Sequence, residues 1–165
     1  MIDYRSASHA DIPQLIPLLG EIMQHHGVAI SSRERMQTTL ETILSSPGHS
    51  LVVAESQGHL IGMCALIFSY STWSSSLVCE LQDVVVTEIR RREHVGRGLV
   101  RAAESQARAR GCSQVFLLAE VWNLDAHAFY RSLGLAEKTC LYFERSLVDQ
   151  QPGQGPRSSQ KGRDL

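Results

Sequence analysis

The apolar positions Ile12, Leu15, Ile16, Leu19, Ile22 and Met23 recur at the three-and-four spacing of a single helix face. Ser8 and Asp11 offer helix-start chemistry just upstream, and the helix is expected to end near Gly27. A short strand over Ile2 to Arg5 is predicted before it. Ser31 with Glu34 three residues on resembles a capping box, and Met36, Leu40, Ile43 and Leu44 carry a second helix as far as Pro47-Gly48. The pattern then changes to β-type runs. Leu51 to Glu55 and Leu60 to Tyr70 are joined by Ser56-Gln57-Gly58-His59, which reads as a hairpin turn, and Leu77 to Val86 is a third long strand.

Leu99 to Arg110 returns to helical spacing. Leu99, Ala102, Ala103 and Ala107 share one face, Arg101, Glu104 and Arg108 the other, and Gly111 is placed as a C-cap. Val115 to Val121 is nearly continuous apolar, as in a strand covered on both faces. With the preceding strand and helix it predicts a right-handed crossover joining parallel strands. Asn123 to Leu133 is a further helix, with Ala126, Phe129, Tyr130 and Leu133 on one stripe, and Leu141 to Leu147 is a final strand. Residues 148–165 are polar, rich in glycine and proline, and predict a disordered tail after a single domain over residues 1–147.

With 165 residues, 43% of them hydrophobic and 20% charged, the chain has the composition of one soluble globular domain. The formal net charge of −1 gives no general field toward nucleic acid or an anionic membrane, so any basic function has to be local. The N-terminus lacks the charge-then-apolar order of a secretion signal, and no apolar run reaches the ~18 residues of a membrane span. Cys64, Cys79, Cys112 and Cys140 show no CxxC spacing, which predicts buried free thiols in a reducing cytoplasm. His25-His26, His94 and His127 have no ligand spacing, so no metal site is expected.

The locally basic stretch is RRREHVGRGLVR, residues 90–101. It is not a dinucleotide-binding GxGxxG, because Arg101 stands where a third glycine would be and nine residues separate Val86 from Gly96. Nor is it a Walker loop, since no Lys-Ser/Thr follows the glycines. What remains is general physics: the backbone N–H groups of Val95 to Leu99 open a helix at the positive end of its dipole. Gly96 and Gly98 keep side chains away from those groups, and Arg91, Arg92 and Arg97 can add charge-assisted hydrogen bonds. The stretch therefore favours a phosphate-bearing ligand.

LQDVVVTEIRRREHVGRGLV at residues 81–100, followed by NLDAHAFYRSLGL from Asn123 to Leu135, resembles the central pattern of the GCN5-related N-acetyltransferase superfamily in order and spacing. Among its subfamilies the likeness is to small-molecule enzymes of the aminoalkylphosphonate type, with aminoglycoside and amino-sugar acetyltransferases next. The resemblance implies an α+β, three-layer fold: a central, mostly antiparallel mixed sheet with a splayed parallel strand pair, flanked by helices. It implies acetyl-CoA as co-substrate and a small-molecule primary amine as acceptor, and it leaves room for a homodimer. Protein or peptide acetylation and non-catalytic acyl-CoA binding are the alternatives. Two positions depart from the pattern. Glu93 replaces the usual Arg or Gln, and is expected to face solvent while Arg91 or Arg92 supplies the charge; His94 stands where glycine is common.

The same resemblance assigns roles. The backbone of Val84, Val85 and Val86, opened by a bulge, would meet the pantetheine arm and the thioester oxygen. His94, Val95, Gly96, Arg97 and Gly98, with Arg91 and Arg92, would hold the pyrophosphate. Asn123, Phe129 and Tyr130 would contact the cofactor arm, with Tyr130 the proton donor to the departing sulfur. An alkylammonium of pKa near ~10 needs a base, and the candidates are Glu80, Asp83 and Glu120. Strand alternation puts Glu80 and Gln82 on one face and Asp83 on the other, which favours Glu80. The amine pocket is expected from residues 22–35 together with Ser69 to Ser76.

Overall fold

The computed structural model describes residues 1–145 and residue 147. Five strands in sequence order form one sheet: β1 (Asp3–Ser6), β2 (His49–Ser56), β3 (His59–Ser71), β4 (Ser76–Val86) and β5 (Gln114–Phe116). The first three pairings are antiparallel and β4–β5 is parallel. Helices α1 (Ile12–His25) and α2 (Arg33–Ser45) cover one face. Helices α3 (Val95–Ala109) and α4 (Leu124–Ser132) cover the other. The expected three-layer α+β arrangement is the one observed.

The period-two pattern of the long strands sorts their side chains between two cores. Leu51 and Val53 of β2 meet Ile12, Leu15 and Ile16 of α1 and Met36 and Leu40 of α2. Val52 and Ala54 face the opposite way, toward Val95, Leu99, Val100 and Ala103 of α3. The β2–β3 turn is a two-residue loop whose Gln57 and Gly58 both have positive φ, 53° and 78°, the twist that suits a tight hairpin.

The N-terminal strand is tied to α1 by charge. Arg5 on β1 donates to both carboxylate oxygens of Asp11 at 2.8 Å and to Glu55 on β2 at 2.9 and 2.6 Å. Asp11 also accepts from the Ser8 backbone N–H at 2.7 Å and the Ser8 hydroxyl at 3.0 Å. Asp11 is only 6% exposed, and the Arg5 guanidinium holds its carboxyl down at about 2. This network fixes where α1 starts, and therefore where its C-terminal turn lies over the sheet.

Several expectations shift. The α2 cap is Ser32, whose hydroxyl accepts from the Arg35 backbone N–H at 3.3 Å; the sequence pattern had placed it at Ser31. Val115 to Val121 is not one covered strand. Only Gln114–Phe116 pairs with β4, beyond which Leu118 and Val121 are exposed. No strand forms over residues 141–145, where Leu141, Tyr142 and Phe143 are exposed. The expected tail, residues 148–165, lies outside the described residues. Cys64 and Cys79 are buried as expected, but Cys140 is exposed. Among the described residues no helix is long and apolar enough to cross a membrane.

Candidate active site

The parallel pair separates soon after it forms. β4 and β5 pair at Val78–Gln114, Cys79–Val115 and Glu80–Phe116, and from Leu81 onward β4 has no partner on that side. The cause lies on the other edge of β4. Val85 pairs with Met63 and Gln82 with Ala65, so Asp83 and Val84 together oppose the single residue Cys64. This bulge lies at Asp83, just before the valine run that was expected to carry it. Asp83 takes a left-handed φ of 51°, a conformation that aspartate tolerates better than most side chains.

The bulge reassigns the acids. Cys79 and Leu81 pack on the α3 side, so Glu80 points to the α1–α2 side, as alternation predicts. The extra residue puts Asp83 on that face as well, where alternation had excluded it. Asp83 lines a cavity of about 220 Å³ under α1 and α2, walled by Leu19, Met23, Met36, Leu40, Leu51 and Met63. Asp83 is exposed, but the cavity walls beside it are largely apolar. The resulting loss of hydration raises its pKa, and nearby His26 partly offsets this. Glu80 does not line the cavity; its carboxylate accepts from the Gln82 amide at 2.9 Å. Glu120 is exposed and accepts from the Trp122 indole N–H at 3.1 Å.

The expected contribution of Ser69 to Ser76 does not appear among the cavity walls. That segment is the β3–β4 hairpin, with Tyr70 and Trp73 exposed at its tip. Of the expected residues 22–35, Met23, Ser31 and Arg35 do line the cavity; sequence reasoning missed its continuation along α1 and α2 to Leu19, Met36, Thr39, Leu40 and Ile43, whose helical periodicity was read mainly as core. It also missed the loop between β5 and α4. Trp122 there lies 6.0 Å from His25 and 5.8 Å from His26 between ring centroids, joining the end of α1 to the parallel-pair side of the molecule. A wider hollow of about 430 Å³, between His9, Arg33 and Glu41, contains none of the candidate catalytic or cofactor-binding residues.

On the opposite face, α3 begins where β4 ends. His94 caps it in a left-handed conformation with φ 62°, and Arg92 is also left-handed at 65°. The first N–H groups of α3 lack helical acceptors by geometry, and Gly98 is the first residue to bond back, to the His94 carbonyl at 3.1 Å. A Cβ on Gly96 would stand 3.2 Å from the Phe129 ring, so glycine lets α4 approach the start of α3. Gly98 has a different role from the one expected. Its α-carbon lies beneath Tyr4, and a Cβ there would be 2.0 Å from the ring. It is a packing glycine between α3 and β1.

Glu93 faces solvent as expected, half exposed, and pairs with Arg90 at 2.8 Å. Arg91 donates through Nε to the Val86 carbonyl at 3.2 Å, bracing the end of β4. Arg92 is exposed and Arg97 is half-buried on the first turn of α3. Asn123 caps α4, its side-chain oxygen accepting from the Ala126 N–H at 3.1 Å, which leaves its amide nitrogen as the polar group for other contacts. Tyr130 packs at 5.0 Å from Phe129 between centroids within the α3-side core, and burial pushes its phenol up to about 12. Tyr130 and Asp83 both lie within electrostatic reach of Cys64, from opposite faces of the sheet.

The Acetyltransferase (GNAT) family pattern matches residues 16–135. Thialysine N-epsilon-acetyltransferase of Bos taurus is 31% identical over 118 residues, 67% of this chain and 65% of that protein. This chain thus spans about two thirds of its length. Aminoglycoside N(6')-acetyltransferase type 1 of Serratia marcescens is 26% identical over 121 residues, 71% of this chain and 83% of that protein. The solved structure of aminoglycoside N-acetyltransferase AAC(6')-Iy in complex with CoA superposes with a TM-score of 0.79 at 18% identity, covering 90% of this chain and 96% of that one, a likeness of fold. A strand pair that parts at a bulge, a glycine-opened helix directly after it, and a family match spanning both agree on one conclusion: the chain belongs to the GNAT family of acetyltransferases.

Proposed function

We propose that the protein transfers the acetyl group of acetyl-CoA to the primary amine of a small molecule, by direct attack within a ternary complex. The observation that carries this is the opening between β4 and β5, with a carboxylate of raised pKa on one face and a protonated phenol on the other. The start of α3, with Gly96 and Arg97, suits the pyrophosphate, because unpaired N–H groups at a positive helix end favour an anion. The unpaired edge of β4 from Leu81 offers peptide-like partners to the pantetheine arm. Both curated relatives carry names that specify N-acetylation of a small molecule.

Asp83 is the base in this reading, in place of Glu80. A carboxyl with raised pKa is a better proton acceptor than an ordinary one, and Asp83 faces the cavity where an amine would enter. The ammonium gives its proton to Asp83, the free amine attacks the thioester carbon, and the tetrahedral intermediate loses its second amine proton to water as it expels the CoA thiolate. Tyr130 then acts mainly as a hydrogen-bond donor. With its phenol near 12 and a thiol near ~8.5, full proton transfer to the thiolate would run uphill by roughly three to four pKa units. Donation of a hydrogen bond still stabilises the departing charge.

The test is release of free thiol from acetyl-CoA across a panel of small amines, compared with peptides of defined N-termini. Amine-dependent release that falls sharply in Asp83→Asn, with CoA affinity retained, is the expected result. Tight CoA binding with no thiol release from any amine or peptide would overturn the proposal.

A further inference from the structure

Two protons leave the acceptor nitrogen in each turnover, and one carboxylate holds only one of them. The ammonium loses the first before it attacks, and the tetrahedral adduct loses the second as the amide forms. Water takes up a proton far less readily than a carboxylate or an imidazole does. A second protein group beside Asp83 would give the protons a faster way out.

Helix α1 brings such a group. Leu19 and Met23 line the same cavity as Asp83, and His26 follows them at intervals of four and three residues, which puts it on the same helix face at the C-terminal cap. Its backbone N–H donates to the Ile22 carbonyl at 3.0 Å, which fixes the residue at the end of the last turn. The half-buried imidazole lies within electrostatic reach of Asp83. Trp122 meets it from the loop after β5, 5.8 Å away between centroids and inclined at 67°, and the indole N–H of Trp122 is itself held by Glu120 at 3.1 Å.

The neighbouring groups do not suit the same task. Arg35 lines the cavity but has no lone pair with which to accept a proton. Glu80 lies outside the cavity, with its carboxylate bonded to Gln82 at 2.9 Å. His25 is exposed and stands off the face shared by Leu19 and Met23. An imidazole takes up and releases protons near neutrality, so it can pass on what it receives.

We infer that His26 relays the first amine proton from Asp83 toward solvent, so that Asp83 is again a carboxylate when the second proton leaves. The inference rests on the acetyl-transfer reading with Asp83 as base, and it gives the second proton a nearer acceptor than water. The ammonium protonates Asp83, Asp83 passes that proton to the His26 imidazole, and the free amine attacks the thioester carbon. The charged nitrogen of the adduct then gives its second proton to Asp83 as the C–S bond breaks and the thiolate departs with the electron pair. His26 and Asp83 each return one proton to water. His26 touches no reacting atom and acts through Asp83, so it is a positioning residue.

The experiment follows the acetylated product from acetyl-CoA with thialysine, kanamycin, spermidine, glucosamine and aminopropylphosphonate, and keeps the fastest acceptor. His26→Gln and His26→Ala, each confirmed as folded by a thermal melt, are expected to lower kcat at least about tenfold, with amine KM and CoA affinity within about twofold of the parent. Imidazole added to His26→Ala should restore kcat in a saturating manner. It also attacks acetyl-CoA directly, so enzyme-free blanks are subtracted. The solvent deuterium isotope effect on kcat should be larger in both variants than in the parent, because proton removal becomes limiting. His25→Gln should stay within about twofold of the parent. Three results would each overturn the relay while acetyl transfer stands: kcat of His26→Ala close to the parent, a loss with neither imidazole rescue nor a larger isotope effect, or an equal loss in His25→Gln. If the CoA-bound parent acetylates no amine and no peptide, the acetyl-transfer reading fails and the relay fails with it.

Discussion

Lowering the pH tests the Arg5–Asp11 contact, because the carboxyl of Asp11 is held at about 2 in the folded protein against an ordinary 3.8. Hydrogen bonding to Arg5 is the largest cause, opposed by burial and assisted by Ser8. A folded-state pKa below the unfolded value means that the folded state binds the proton more weakly. The stabilisation is therefore complete above about pH 4 and is lost as the pH falls through the folded value near 2. At about 1.4 kcal/mol for each pKa unit, the contribution is about 2 kcal/mol. Asp11 is nearly buried, so little of this is screened by solvent. The assay is urea denaturation of the protein and of Asp11→Asn at intervals from pH 6 to about 2. The amide keeps the side-chain volume but cannot titrate. The two proteins need not start from the same stability; the informative quantity is the difference in slope. The parent protein is expected to lose about 2 kcal/mol more than the variant between about pH 4 and 2. Parallel curves through that window would show that the network does not hold the Asp11 proton off, and with it the account of how β1 positions α1 would fail.

Asp83→Asn should reduce kcat with a responsive amine by at least ~10²-fold while leaving CoA affinity unchanged. In the parent enzyme the acid limb of the kcat/KM profile should lie above the ordinary carboxylate range, because burial raises Asp83; a limb at the ordinary value would implicate another acid. Tyr130→Phe should lower kcat without weakening CoA binding, and the parent profile should show no fall from phenol ionisation below about pH 11. A fall in CoA affinity equal to the fall in kcat would mark Tyr130 as a packing residue alone. Gly98→Ala should destabilise by about 1 to 3 kcal/mol, since its Cβ would meet the Tyr4 ring at 2.0 Å. In a Tyr4→Ala background the same change should become neutral or stabilising through helix propensity. Equal costs in both backgrounds, measured by denaturation, would refute the contact.

The local elements were legible because each is encoded by a local rule. Three-and-four spacing in Ile12 to Met23 and in Leu99 to Ala107 gave α1 and α3, and β-type runs on either side of a hairpin turn gave β2 and β3. The glycine loop followed by NLDAHAFY was legible as well, because its chemistry belongs to the backbone at the start of α3 and to side chains one helix later. Glu93 was expected to face solvent and does, yet its partner Arg90 could not be singled out among neighbouring arginines from composition alone.

The sequence by itself determined the order of elements from β1 to α4 and the family, since these depend on residues close together in the chain. Which acid faces the cavity depended on the pairing of β4 with β3. One extra residue opposite Cys64 breaks the period of two and brings Asp83 to the side of Glu80. The role of Gly98 was likewise set by Tyr4, which reaches it only after β1 joins the sheet. The union of Asp83 with Arg35 in one cavity required α2 to pack on that sheet. Alternation and helix periodicity fix where a side chain points relative to its own strand or helix, and only long-range pairing and packing fix what it faces.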